Sequence, residues 1–247
     1  MMHAEYDPLA MQYAESKRLV FRVYSEVPNH LELLGDLSGQ RVVDLACGDG
    51  FYTRQIRNLG ADRVVGVDVS EQMIRLANEH ESADPLGIEY VACSATDLSC
   101  LGAETFNVAS TAFLFNCATD QNELHRMFGE ISARLEPGGR LCATVGDLGH
   151  RPGINYCPYG MRTQIPVDLE EGAPYSITFL LESSDFTITD YNHSLSTYEK
   201  IGESAGLRFQ GWYPCTVTDE GFDAFGQDFW QRWIDSPCIW RFVATKV

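Results

Sequence analysis

Asp44-Leu-Ala-Cys-Gly48-Asp-Gly50 stands at the end of a short apolar run, Arg41-Val-Val-Asp-Leu45. Glycines two apart let the backbone turn tightly and approach a ligand closely. Asp68 comes 20 residues after Gly48, at the end of a second apolar run, Arg63 to Val67. An acid at that position accepts hydrogen bonds from ribose hydroxyls. A dinucleotide turn usually reads G-x-G-x-x-G, and here the third glycine falls at Thr53. Asp44 before the turn would repel a diphosphate and attract an ammonium group. The turn therefore suits a cationic amino-acid ligand better than a diphosphate.

Alternating strands and helices position these residues. Arg41 to Leu45 reads as a strand, Tyr52 to Leu59 as a helix, and Arg63 to Val67 as a second strand. Ser70 caps the next helix, whose inner face is Met73, Ile74 and Ala77. Ile88 to Cys93 and Phe106 to Phe115 contain two more strands. Asp120 caps a helix running to Leu135, with Leu124, Met127, Phe128, Ile131 and Leu135 on its core face. A turn at Pro137-Gly138-Gly139 leads to a strand from Arg140 to Val145. This rhythm implies a parallel sheet with right-handed crossovers. Before it, Leu9 to Val27 reads as an amphipathic helix carrying Met11, with Pro28 as its end and a short helix from His30 to Leu34 after it. Residues 147–191 break the rhythm with repeated Gly and Pro. They read as an insertion over the carboxyl edge of the sheet, with antiparallel strand near Tyr175 to Leu181. A helix from Ser196 to Ala205 and strands at Leu207 to Tyr213 and Ile239 to Thr245 complete the pattern. One domain, 1–247, is expected, with a helical cap at 1–35 and the 147–191 insertion forming part of a ligand pocket.

The chain has 247 residues, 45% hydrophobic and 21% charged, an ordinary globular balance. Its net charge of −17 disfavours nucleic acid and anionic membrane surfaces as partners. No run of about 20 apolar residues offers a membrane span. Met1 to Ala10 carries His3, Glu5 and Asp7 and has neither region of a signal peptide, so the cytoplasm is the expected compartment. Eight cysteines, none in a C-x-x-C pair, read as reduced, small buried residues. No metal site is expected, because no two ligands have close structural spacing.

Taken together, the motifs resemble those of the class I S-adenosylmethionine-dependent methyltransferases. Asp44 to Gly50 resembles the family's first motif, with Ala46 where a glycine usually stands. Asp68-Val69 resembles the second and Ala95-Thr96-Asp97-Leu98 the third. Phe113-Leu-Phe-Asn116 resembles the fourth-strand motif, and Leu135-Glu-Pro-Gly-Gly139 the turn before strand five. The resemblance implies a Rossmann-like, doubly wound, mostly parallel seven-stranded α/β sheet and S-adenosyl-L-methionine as cofactor. It also implies roles. Gly48 and Gly50 lie beside the methionine moiety, Asp44 holds its ammonium directly or through water, and Asp68 takes the ribose hydroxyls. Met73 or Val69 packs on adenine, and Asp97 meets the adenine amine with the Thr96 amide nearby. Phe113 lines the far side, and Tyr13 covers the carboxylate end, where Lys17 or Arg18 pairs with the carboxylate.

Methyl transfer is an in-line displacement, which needs alignment, exclusion of water and, for a protonated acceptor atom, a base. Candidates on the acceptor side are Tyr6, Tyr24, Asn116, Asp147, His150, Tyr156, Tyr159 and His193. His193, His150, Asp147 and Tyr24 are the candidates for catalysis. The opening Tyr6-Asp-Pro-Leu-Ala-Met-Gln-Tyr-Ala-Glu15 and the segment Leu195 to Leu207 also resemble the toxoflavin-synthase type, which methylates a ring nitrogen of an azapteridine-like heterocycle. Phe222, Phe225, Phe229, Trp230, Trp233 and Trp240 are compatible with a flat acceptor. The expectation is methylation of a small heteroaromatic or phenolic metabolite, nitrogen ahead of oxygen or carbon, by a monomer or homodimer. The alternatives are a non-catalytic fold member that only binds the cofactor and an NAD(P)-dependent oxidoreductase.

Overall fold

The structure, a computed structural model, describes residues 10–247. Tyr6 and Leu9 lie outside the described residues, as does the Met11 side chain. A seven-stranded sheet organises the molecule. Its strands are β1 (Arg41–Leu45), β2 (Arg63–Asp68), β3 (Glu89–Ala92), β4 (Phe106–Ala112), β5 (Leu135–Gly146), β9 (Leu207–Pro214) and β10 (Ile239–Lys246), in the order β3-β2-β1-β4-β5-β10-β9. The pairs among β1 to β5 are parallel, and β10 runs antiparallel to both β5 and β9. The chain proceeds outward from β1 to β3 on one side and then crosses to β4 and β5 on the other. The glycine turn follows β1, at this reversal, where open α/β sheets place their ligands.

Helices α3 (Phe51–Asn58), α4 (Glu71–Ala83), α5 (Gln121–Arg134) and α6 (Leu195–Ser204) cover the sheet. Ser70 Oγ accepts from Met73 N at 3.1 Å and Asp120 Oδ1 from Glu123 N at 2.8 Å, the two expected caps. Leu124, Met127, Phe128, Ile131 and Leu135 are all buried, so the 3.6-residue stripe of α5 faces the sheet.

The leading segment departs from the expected single helix. It forms α1 (Ala10–Ser16), a turn, a π-helical stretch at Arg22–Glu26, and α2 (Val27–Leu34). Pro28 does not end a helix. It stands in the first turn of α2, where a missing N–H leaves no helical hydrogen bond unmade.

Within the Gly/Pro-rich segment, β6 (Met161–Gln164), β7 (Pro174–Phe179) and β8 (Phe186–Tyr191) form a separate antiparallel sheet. Its alternating inward residues Tyr175, Ile177, Phe179, Phe186 and Ile188 pack in one apolar cluster with Phe21, Tyr156, Tyr159, Trp230 and Trp233. Trp230 and Trp233 come from α8 (Gln227–Asp235), which follows α7 (Asp219–Phe225). The leading segment is thus held between the small sheet and α8.

Candidate active site

Beyond the carboxyl end of β1 the backbone turns sharply, with positive φ at Ala46 (57°), Gly48 (56°) and Gly50 (84°). These angles are easy for glycine and sparse for alanine. A pocket of about 370 Å³ opens there, lined by Tyr13, Ala46, Gly48, Asp68, Met73, Ala112, Phe113 and Cys117. Six of the eleven residues expected to hold a cofactor are therefore in its wall. Asp68 is fixed by backbone donors: Oδ2 accepts from Gly48 N at 2.8 Å and Oδ1 from Ser70 N at 2.9 Å. Ionised carboxylate oxygens accept more than one bond each, which suits them to hydroxyl groups. Phe113 also has positive φ, 66°, which turns the chain at the end of β4.

The other five lie off the wall. Asp44 is 2% exposed and accepts from Thr53 Oγ1 at 2.7 Å, with Ser110 as a second donor. Burial pushes its carboxyl up to about 6. It stands behind the turn rather than in the pocket. Gly50 fits against Tyr90: a Cβ there would lie 2.4 Å from the phenol oxygen, so its role is in the turn. Val69 is half-buried beside Asp68. Thr96 Oγ1 pairs with Ser94 Oγ at 2.8 Å. Asp97 is exposed and accepts from Ser99 N at 3.0 Å, a turn cap that holds its carboxyl below the usual range. In the same loop Cys93 and Cys100 form a disulfide across Cα atoms 6.4 Å apart, which corrects the expectation that every cysteine is reduced. The tight 3₁₀ turn at Ser99–Leu101 brings Cys100 back beside the end of β3.

Sequence reasoning missed Asp49. It is 6% exposed, and its Oδ1 is buried with no hydrogen-bond partner among the described residues. Its charge acts on Tyr13 and on Lys17, whose Nζ lies 4.4 Å from the Tyr13 ring centroid and 5.1 Å from that of Tyr52. Burial brings the Lys17 ammonium down to about 8 and pushes the Tyr13 phenol up to about 12. Arg18 is exposed. The signal for Asp49 was its place between the two glycines.

A second cavity, of about 450 Å³, shares Tyr13 and Phe113 with the first. Phe21, Leu148, Met161, Ile177, Phe179, Ile188 and Ile239 give it apolar walls; among the described residues, Arg22 and Asp190 are its charged members. None of His193, His150, Asp147 and Tyr24 lines it. His193 is 2% exposed, and its Nε2 donates to the Ala118 carbonyl at 2.8 Å. His150 is exposed; its Nδ1 binds Asp147 Oδ1 at 2.7 Å, which raises its pKa. Asp147 also holds Arg151 at 3.1 Å, so it is an anchor for the loop after β5. Tyr24 stands edge-on to Phe225, with centroids 5.6 Å apart. Asn116 is tied to the Gly146 backbone at 2.8 and 2.9 Å. The Tyr156 and Tyr159 hydroxyls donate to the carbonyls of Ser236 and Phe229 at 3.0 and 2.8 Å. The aromatic residues of the C-terminal third are packing too: the Trp230 and Trp233 indoles donate to Gly221 O at 2.8 Å and Ser25 Oγ at 3.1 Å. The cavity takes its rings from Tyr13, Phe21, Phe113 and Phe179 instead.

The family described as "Methyltransferase domain" matches residues 42–139, from β1 into β5. The ubiquinone biosynthesis O-methyltransferase of Bordetella avium is 30% identical over 108 residues, covering 44% of this chain and 43% of its own length. The mitochondrial ubiquinone biosynthesis O-methyltransferase of Homo sapiens is 31% identical over 122 residues, 48% of this chain and 32% of its own. The matches thus span less than half the length of these curated relatives. An S-adenosylmethionine-dependent methyltransferase from Mesorhizobium loti superposes with a TM-score of 0.67 at 18% identity, covering 94% of this chain and all of that one. One from Clostridium acetobutylicum gives 0.64 at 17% identity, covering 98% and 96%. At those identities the likeness is one of fold. The sequence match covers the glycine turn and Asp68, and the fold likeness covers the seven-stranded frame that positions them. Residues 42–139 thus match a methyltransferase-domain family, and the sheet around them has the fold of S-adenosylmethionine-dependent methyltransferases.

Proposed function

We propose that the chain transfers a methyl group to a ring nitrogen or hydroxyl of a small planar aromatic acceptor held in the second cavity. The observation that carries this reading is the common wall: Tyr13 and Phe113 border both the glycine-turn pocket and the aromatic-walled cavity. The residues of the first pocket and those around the glycine turn fit the cofactor. Asp49 Oδ1, beside the turn, is a buried acceptor without a partner among the described residues, a match for an ammonium group. Gly48 leaves the Tyr13 ring 3.7 Å from where a Cβ would stand. Asp68 would take ribose hydroxyls, Met73 the adenine face, and Lys17 the carboxylate end. Asp44, pinned behind the turn, would act on the ammonium through its field or through water.

S-adenosylmethionine supplies an electrophilic sulfonium methyl. The protein's part is to orient the acceptor ring against apolar walls, exclude water and receive a proton where the acceptor atom carries one. Asp190, 4% exposed and in the cavity wall, is the residue for that last task. Nitrogen rests on the resemblance of the flanking segments to the toxoflavin-synthase type. Oxygen is favoured by the curated relatives, which are named for O-methylation in ubiquinone biosynthesis. The test is release of S-adenosylhomocysteine with a panel of heteroaromatic and phenolic metabolites, followed by NMR of the product. N-methyl or O-methyl signals support the proposal. Binding of S-adenosylhomocysteine without turnover on any planar acceptor points to a scaffold that only holds the cofactor.

A further inference from the structure

Arg22 is unusual among the charged residues. It is 2% exposed, and its Cζ lies 5.2 to 5.5 Å from the ring centroids of Phe21, Phe179, Tyr13 and Phe113. All four rings belong to the acceptor cavity. Glu26, itself fully buried, takes Nη1 at 3.0 Å and is also bonded by the Tyr52 hydroxyl. Nε is buried and has no hydrogen-bond partner among the described residues. A guanidinium carries five N–H donors in a planar fork, and one carboxylate oxygen does not satisfy them. Aromatic faces attract the cation but accept hydrogen bonds poorly. A buried guanidinium left with unpaired donors is costly, so a group in the cavity that accepts from the fork recovers part of that cost on binding. Asp190 sets the opposite preference on another part of the wall, where it favours an N–H or O–H. The remaining lining is apolar or aromatic among the described residues.

Resting on the reading of this cavity as the acceptor site, we propose that Arg22 selects acceptors bearing an oxyanion or oxo oxygen, with an N–H or O–H elsewhere on the ring for Asp190. The ligand class is hydroxylated aromatic acids and oxo-heterocycles, rather than plain hydrocarbon or cationic rings. Arg22 is then a specificity-determining residue, whereas Glu26 orients it.

Calorimetric titration of the full chain, with and without S-adenosylhomocysteine, tests this with 3- and 4-hydroxybenzoate against the matching cresols. These pairs share the ring and hydroxyl and differ in the carboxylate. Charge-assisted hydrogen bonds in a dry site predict binding of the hydroxybenzoates about 10- to 100-fold tighter than the cresols. Arg22→Gln should remove the preference and leave affinity for S-adenosylhomocysteine unchanged; Arg22→Lys should keep part of it. Equal binding of acids and cresols by the wild type, or a preference that survives Arg22→Gln, overturns the proposal. The wild-type comparison decides even where Arg22→Gln fails to fold. Should neither class bind while S-adenosylhomocysteine does, the cavity is not the acceptor site and the proposal falls with that reading. Should the acid preference appear without any S-adenosylhomocysteine binding, the assignment of the first pocket fails and the role of Arg22 stands.

Discussion

Asp44 carries the tension between stability and function in this site. Its carboxyl is pushed from 3.8 to about 6 by burial, partly offset by Thr53 and Ser110. The folded chain therefore holds that proton more tightly than the unfolded chain does. This contribution to stability is fully present below about pH 4 and is lost as pH rises through about 6. Binding of S-adenosylhomocysteine should respond oppositely, strengthening as pH rises through about 6 because the ionised form attracts the ammonium. Asp44→Asn should flatten that dependence; titrations from pH 5 to 8 on both proteins check it, and an unchanged slope in the variant would exclude Asp44 as the source. His30 acts in the other direction. It is fully buried between Thr144 Oγ1 at 2.9 Å and Ser110 Oγ at 3.1 Å, and burial lowers its pKa from 6.5 to about 3. Its stabilising effect is present above about pH 6.5 and is lost as pH falls toward 3. Thermal melts should therefore show the gap between wild type and His30→Gln narrowing over that range; a constant gap would contradict a neutral buried imidazole. Asp190→Asn should lower kcat on an acceptor that loses a proton, by about 100-fold or more if Asp190 is the base, with S-adenosylhomocysteine affinity preserved.

The central strands and helices were legible because each carries its own period and punctuation. Strands β1 and β2 are short apolar runs ending in an acid, α4 and α5 begin at side-chain caps, and the stripe of α5 is buried residue for residue. The leading segment was not, because its apolar stripe does not reveal that residues 17–19 turn and 22–26 wind as π-helix, nor that Pro28 stands in the first turn of α2. That irregularity places Arg22 against Phe113 and Phe179, contacts set by tertiary packing across more than ninety residues. Six of the residues singled out by motif spacing meet in one pocket. The second cavity was not legible, since the residues singled out for it, Asp147, His150 and His193, are spent on loop anchoring, and Asp190 carried no motif to mark it. The small sheet that forms one wall gives a direct test. Ile188 is 6% exposed and lines the cavity. Ile188→Ala should cost about 2 kcal/mol, the low end for such truncations because part of its surface already faces empty space. It should raise KM for the acceptor while leaving S-adenosylhomocysteine affinity unchanged. A loss of both affinities would mean the small sheet supports the glycine-turn pocket instead.

Across the molecule, the seven-stranded sheet positions the glycine-turn pocket, and the segments outside it supply most of the lining of the second cavity. The net charge of −17 is consistent with a cationic ligand and argues against a polyanionic one. Among the described residues, no helix is long and apolar enough to cross a membrane. The whole account rests on the glycine turn and Asp68 as a site for S-adenosylmethionine rather than for a nicotinamide dinucleotide. Calorimetric titration of wild type and Asp68→Ala with S-adenosylhomocysteine and with NADH measures this directly. The account predicts one S-adenosylhomocysteine site in the wild type, weakened about 10- to 100-fold in Asp68→Ala through loss of charge-assisted hydrogen bonds, and no heat from NADH. Saturable binding of NADH, or S-adenosylhomocysteine binding that is absent or indifferent to Asp68, would contradict it.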